Sequence, residues 1–176
     1  MDESIHKTHS QRVEVVQTPI IPTITQLARE NPGTTSLGQG VAYYGPPQQA
    51  YDEIRRHLDS PRLNAYGPVE GIPELTQALA SKLAARNNIS INAHNKVFVT
   101  AGSNMAFSSL MLAIADPEDE IILLTPYYFN HEMAIRLANA RPVLVPTHDN
   151  YHPDIERIKR VITSKTRAIV TVSPNN

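Results

Sequence analysis

The sequence predicts an α/β protein: a mostly parallel sheet with helices flanking it. Three observations predict this. Apolar runs rich in strand formers recur at residues 97–99, 121–124, 143–145 and 168–172. The stretches between them carry apolar residues at helical spacing, which gives βαβ alternation with right-handed crossovers. The first run, Val97-Phe98-Val99, is also continuous rather than alternating, as expected for a parallel strand covered on both faces.

The first part of the chain supplies helices and turns. Residues 1–17 are polar and mixed in charge, the pattern of a mobile arm. Ile24, Leu27 and Ala28 mark a short amphipathic helix over 22–30, stopped by Asn31-Pro32-Gly33. Two glycines one residue apart follow in Ser36-Leu37-Gly38-Gln39-Gly40. They fit either a backbone that something approaches closely or an ordinary connection. Ala50, Ile54 and Leu58 fall on one helix face, ended by Ser60-Pro61. A loop dense in turn formers, 64–71, contains Tyr66, by itself a surface or packing tyrosine. Pro73 then suits a first helical position, and Leu75, Leu79 and Leu83 carry that helix to Asn87-Asn88.

The second part centres on residues 97–107. Val97-Phe98-Val99 reads as a buried strand, and Thr100-Ala101-Gly102 as a small-residue turn. A helix then begins, with Ser103 or Asn104 as its cap and Phe107, Leu110, Met111 and Ile114 on its apolar face. Such a helix start offers free N–H groups and a positive dipole end, a site for phosphate. With Gly102 alone it is neither a Walker loop nor a dinucleotide fingerprint, and Gly102-Ser103 lacks the second glycine of a nucleophile elbow. Asp116, Glu118, Asp119 and Glu120 read as a solvated acidic turn before the next strand. Tyr127, Tyr128 and Phe129 follow that strand, at the carboxyl end where open α/β sheets bind ligands. Helices are expected over 130–139 and over 154–162, the latter with Ile155, Ile158, Val161 and Ile162 inward.

Composition narrows the function classes. A chain of 176 residues, 41% hydrophobic and 19% charged, is long enough for one domain with a real core. Its formal net charge of −1 leaves no electrostatic footprint for nucleic acid or a membrane surface. The absence of cysteine excludes disulfides and thiolate metal sites and fits a reducing compartment. Neither a signal peptide nor a membrane-spanning run is evident, so a cytoplasmic protein is expected. His148 and His152 are four apart but sit in a loop without a third ligand, so no metal site is expected.

Taken together, five segments resemble the fold-type I pyridoxal-phosphate enzymes, specifically the class I/II aminotransferases near aspartate aminotransferase. They are Leu37-Gly38-Gln39-Gly40, the run from Tyr66 through Gly67-Pro68-Val69-Glu70-Gly71 to Leu75, Ala101 to Ala106, Pro126-Tyr127-Tyr128, and Ser173-Pro174-Asn175-Asn176. Their order and spacing carry the resemblance, which covers nearly the whole chain from Ile20. It implies a large cofactor-binding domain beginning within 48–176, a segment of a small domain at 20–47 and an N-terminal arm at 1–19. Residues Gly102, Ser103 and Asn104 would hold the phosphate of pyridoxal 5'-phosphate. Tyr128 would stack on its pyridine ring, and Asn176 would hydrogen-bond its phenolic oxygen. Tyr66 would reach the cofactor phosphate of a partner subunit, implying a homodimer. Gly40 would lie near the substrate carboxylate, although Ala42-Tyr43-Tyr44 departs from the family's Pro-Asp-Phe there.

The resemblance implies transfer of an amino group between an amino acid and a 2-oxo acid. The family's Schiff-base lysine, pyridine-pairing aspartate and carboxylate-binding arginine would all follow Asn176, so no catalytic residue is expected within these residues. Lys165 lies in a polar turn and is expected to be an ordinary solvated lysine. Two alternatives remain: an inactive truncated product or pseudoenzyme, and a piece of a related pyridoxal-phosphate lyase or synthase. By the same resemblance the sheet holds four of seven strands, and the isolated chain is expected to be unstable.

Overall fold

The structure is a computed structural model, and it describes residues 9–16, 20–35, 37, 40 and 42–175. The chain divides into two compact units, one of residues 1–17 with 100–176 and one of residues 18–99.

The unit of residues 18–99 is helical. Helices α2 (Ile20–Glu30), α3 (Gln48–His57) and α4 (Pro73–Asn87) stand where apolar spacing predicts them. Pro73 takes a first-turn position of α4, and Asn88 ends the helix in a left-handed conformation (φ 55°) whose N–H bonds back to Leu83 O. Among the described residues of this unit none is buried. Ile54 and Leu58, which their spacing places on one helix face, are 60% and 65% exposed.

The second unit contains the sheet. Its strands are β1 (Glu120–Thr125), β2 (Arg141–Pro146) and β3 (Thr166–Val170), all parallel in the order β2-β1-β3. Before β1 comes α5 (Ser103–Ile114); α6 (Phe129–Leu137) and α7 (Ile155–Val161) make the two crossovers. Alternation along the central strand organises two cores. Ile121 and Leu123 pack with Met111 of α5 and Ala134 and Ile135 of α6. Ile122 points the other way, onto Val145 and Ile158 of α7. A four-residue helix, α1 (Gln11–Glu14), places Arg12 so that its guanidinium donates to Leu137 O at the end of α6, at 3.5 Å.

Four expectations are corrected. Residues 97–100 form no strand, so the sheet has three strands among the described residues, not four. An apolar run becomes a strand only beside a partner, and here the ladder belongs to β1, β2 and β3 alone; Val99 N–H instead donates to Glu70 O at 2.9 Å. The cap of α5 is neither Ser103 nor Asn104 but Gly102, with φ 83° and ψ 168°. On α7, Ile158 is buried and Val161 packs beside it, whereas Ile155 and Ile162 are 55% and 50% exposed, because one short helix offers the sheet only a narrow stripe. The acidic turn is solvated only in part: Asp116 and Glu118 are exposed as expected. Asp119 and Glu120 are buried at the start of β1, paired with Arg167 and Arg141.

Candidate functional site

The turn into α5 is built by backbone and small side chains. Gly102 N–H donates to Thr100 O at 2.8 Å, and the Thr100 hydroxyl donates to Gly102 O at 2.9 Å. These two bonds hold Gly102 at a φ that L side chains rarely adopt. No side chain caps the helix, and α5 carries no acidic residue in its first turn. A β-carbon built on Gly102 would meet nothing within 4 Å, so the space before the helix end is open. Gly102, Ser103 and Asn104 are exposed. The N–H groups of Ser103 and Asn104 and the positive dipole end suit an anionic oxygen cluster, the Gly102 N–H being engaged by Thr100 O.

Tyr128 occupies the N-cap position of α6, at the carboxyl end of β1, and is 40% exposed. Asn130 Nδ2 donates to its hydroxyl at 2.5 Å. Its ring meets Phe129 at 5.1 Å and His131 at 5.4 Å between centroids, the latter nearly perpendicular at 86°. The His131 ring in turn stacks on Phe107 of α5, 4.2 Å away and tilted 29°. An aromatic chain thus links Tyr128 to the helix that begins at Gly102.

Next to this chain, beyond the carboxyl ends of β1 and β3, is a cavity of about 670 Å³. Tyr127, His131, Thr147, His152, Ser173 and Asn175 are among its lining residues, whereas Tyr128 and Gly102 are not. The Tyr127 hydroxyl donates to Glu132, which also accepts from Arg136 Nε and Nη2 at 2.9 and 2.7 Å. That carboxylate, followed by burial, pushes the Tyr127 phenol up. Burial would raise Glu132 as well, but the Tyr127 hydroxyl and the Arg136 guanidinium outweigh it and hold the carboxyl below its ordinary value. Burial pushes His131 below the usual imidazole range, so the ring is neutral at neutral pH.

The predicted residues therefore distribute unevenly. Gly102, Ser103, Asn104 and Tyr128 share one unit and stand at the ends of two helices joined by Phe107 and His131. Tyr66 and Gly40 belong to the unit of residues 18–99, both exposed. Asn176 lies outside the described residues, but Asn175 Nδ2 donates to Pro126 O at 2.9 Å, which fixes the segment after β3 against the turn after β1. Sequence reasoning missed His131 and the Tyr127–Glu132–Arg136 cluster. The four-residue spacing of Glu132 and Arg136 was the available signal for the cluster. For His131 it was only its place three residues after Tyr128.

The chain is similar to known proteins in sequence and in fold. The family described as aminotransferase class I and II matches residues 32–176. The aromatic aminotransferase ISS1 of Arabidopsis thaliana is 33% identical over 172 residues, covering 95% of this chain and 43% of that protein. The aspartate/prephenate aminotransferase of Thermus thermophilus is 36% identical over 153 residues, covering 86% of this chain and 39% of that one. A solved structure, a single mutant of the Thermus thermophilus aspartate aminotransferase, superimposes with a TM-score of 0.85 at 33% identity, covering 97% of this chain and 46% of that one. This chain thus spans less than half the length of these relatives. Its strand-turn-helix units and its matched length place it in one family: the chain belongs to the class I and II aminotransferases.

Proposed function

We propose that this chain supplies the phosphate-holding and ring-stacking part of a pyridoxal 5'-phosphate site in an enzyme that moves an amino group between an amino acid and a 2-oxo acid. One observation carries the reading: α5 has no side-chain cap, its N-cap residue Gly102 has open space beside it, and Tyr128 is tied to that helix through His131 and Phe107. The residues fit the group, since the helix end offers donors to a phosphate and the half-exposed Tyr128 ring offers a face to a pyridine. When bound, pyridoxal phosphate supplies the electron sink and carries the amino group.

The roles of this chain's residues follow from their chemistry. Ser103 and Asn104 bind the phosphate through backbone N–H groups, and Gly102 keeps the space beside them open, since a side chain there would project into it. Tyr128 orients the ring, and such stacking contributes about 0.5–1.5 kcal/mol beyond area burial. Asn176 donates to the phenolic oxygen, and Gly40 approaches the substrate carboxylate. Tyr66 serves the phosphate of a second subunit, so the working enzyme is a homodimer. Its segments are an arm (1–19), a small-domain piece (20–47) and the start of the large domain (48–176), and it works in the cytoplasm.

The test uses the product of the complete reading frame. Titration with pyridoxal phosphate is expected to give a saturable visible absorbance band, and aspartate or an aromatic amino acid should then pass its amino group to a 2-oxo acid. Gly102→Val should weaken cofactor binding by about tenfold or more, the loss of one or two good hydrogen bonds to a charged group. A protein that folds but binds no pyridoxal phosphate would overturn the reading.

A further inference from the structure

His131 is the third residue of α6, and its ring is held from two sides. Phe107 stacks beneath it at 4.2 Å with a tilt of 29°, and the Tyr128 ring stands across it at 5.4 Å and 86°. Both separations are close to or within the range where aromatic pairs attract. The Nδ1 atom of His131 is buried and has no hydrogen-bond partner. Buried polar atoms are nearly always partnered, so an apolar ring would fill this space with less desolvation. Packing alone does not account for an imidazole here. Tyr128, meanwhile, is gripped at its hydroxyl by Asn130 and at its ring by Phe129 and His131.

We propose that His131 is the positioning residue for Tyr128: braced on Phe107 of α5, its ring sets the tilt of the tyrosine relative to the helix that begins at Gly102. The inference rests on the reading of Tyr128 as the residue that stacks on the cofactor. A helix terminus and a stacking ring on separate helices must keep a fixed spacing if one ligand is to touch both, and His131 is the side chain that bridges them. The charged residues of α6 nearest to it, Glu132 and Arg136, are paired with each other, and α5 contributes no charged side chain. A neutral, stacked ring therefore sits between the two elements.

The experiment compares His131→Phe with His131→Leu in the product of the complete reading frame. Both substitutions fill the space, but only phenylalanine keeps a ring against Phe107 and Tyr128. The readouts are the dissociation constant for pyridoxal phosphate and the induced circular dichroism of the bound cofactor. His131→Leu is expected to weaken binding about five- to tenfold and to diminish the dichroism, the size of one lost aromatic pair. His131→Phe should restore both to within about threefold, as the pair is retained. In a Tyr128→Ala background His131→Leu should have no further effect on cofactor affinity. Wild-type affinity in His131→Leu, equal losses in both variants, or an undiminished loss in the Tyr128→Ala background would overturn the proposal. Absence of cofactor binding by the wild-type protein would instead overturn the function proposed above, so the two failures are distinct.

Discussion

Gly71 and Val99 are in such close contact that a β-carbon built on Gly71 would stand 2.8 Å from Val99 Cγ2 and 3.1 Å from its Cβ. Gly71 also has φ 111°, and the neighbouring Glu70 O accepts the Val99 N–H at 2.9 Å. The glycine-rich loop and Val99 thus meet backbone to backbone. Gly71→Ala is expected to cost about 2 kcal/mol or more, since strain at such a φ alone costs roughly 1–3 kcal/mol. Chemical denaturation checks this. Adding Val99→Ala removes the nearer clash, so the double variant should lose less than the sum of the two single changes.

Gly102 offers a clean contrast. Its φ of 83° and ψ of 168° lie in a region essentially reserved for glycine, yet its missing β-carbon would face open space. Gly102→Ala should therefore cost about 1–3 kcal/mol from backbone strain alone. No substitution of a neighbouring side chain should relieve it, and a denaturation series on such double variants checks that.

Glu120 and Arg141 stand opposite each other in the β1–β2 ladder and form an ion pair, with the carboxylate buried and the guanidinium exposed. The Thr163 hydroxyl at 2.7 Å, then the Thr166 hydroxyl at 3.2 Å and the Arg141 guanidinium, hold the Glu120 carboxyl below its ordinary value of 4.5, against the opposing effect of burial. A carboxylate with a depressed folded-state pKa stabilises the fold above its unfolded pKa and loses that contribution as pH falls through the folded value. Stability measured by denaturation should therefore fall as pH drops from the ordinary glutamate range to lower values. Glu120→Gln should lower stability at neutral pH and flatten this acid limb; an unchanged limb would count against the assignment.

Burial separates the apolar positions that matter from those that merely share a helical period. Ile135 is fully buried against Met111 and Leu123, and Ile135→Ala is expected to cost about 2–5 kcal/mol. Ile155 is 55% exposed, and Ile155→Ala should stay within about 0.5 kcal/mol. Paired melting curves of the two variants decide this.

The unit of residues 18–99 buries no described residue, while Leu37, Val69 and Tyr66 stand almost wholly exposed. Chain ordering must be offset by burial, and a net stability of about 5–15 kcal/mol leaves little slack. Isolated residues 1–176 are therefore expected to unfold over a broad, weakly cooperative range in calorimetry. A single sharp transition would contradict this.

Local chemistry was enough to place most elements. Pro73 and Asn88 bound α4 because a missing N–H and a left-handed backbone are properties of those positions alone. Asp154 starts α7 by accepting the Arg157 N–H at 3.0 Å, again a bond within one turn. The apolar runs of β1, β2 and β3 were equally legible, although only β1 is buried on both faces, and Leu144 of β2 and Ile169 of β3 are 45% and 43% exposed. The motif order, read as a resemblance, pointed to the family that the comparisons then showed.

What the tertiary structure decided are the properties that depend on a distant partner. Residues 97–100 have strand-forming side chains but no ladder, because hydrogen bonding between strands belongs to the pair and not to either run. Asp119 and Glu120 read as solvated acids until Arg167 and Arg141, 48 and 21 residues away, close over them. His131 has no sequence motif at all; its meaning comes from Phe107 beneath it and Tyr128 across it, on two different elements. Helical period and turn chemistry are local and can be read along the chain, whereas burial and ring geometry are relations between segments that only folding brings together.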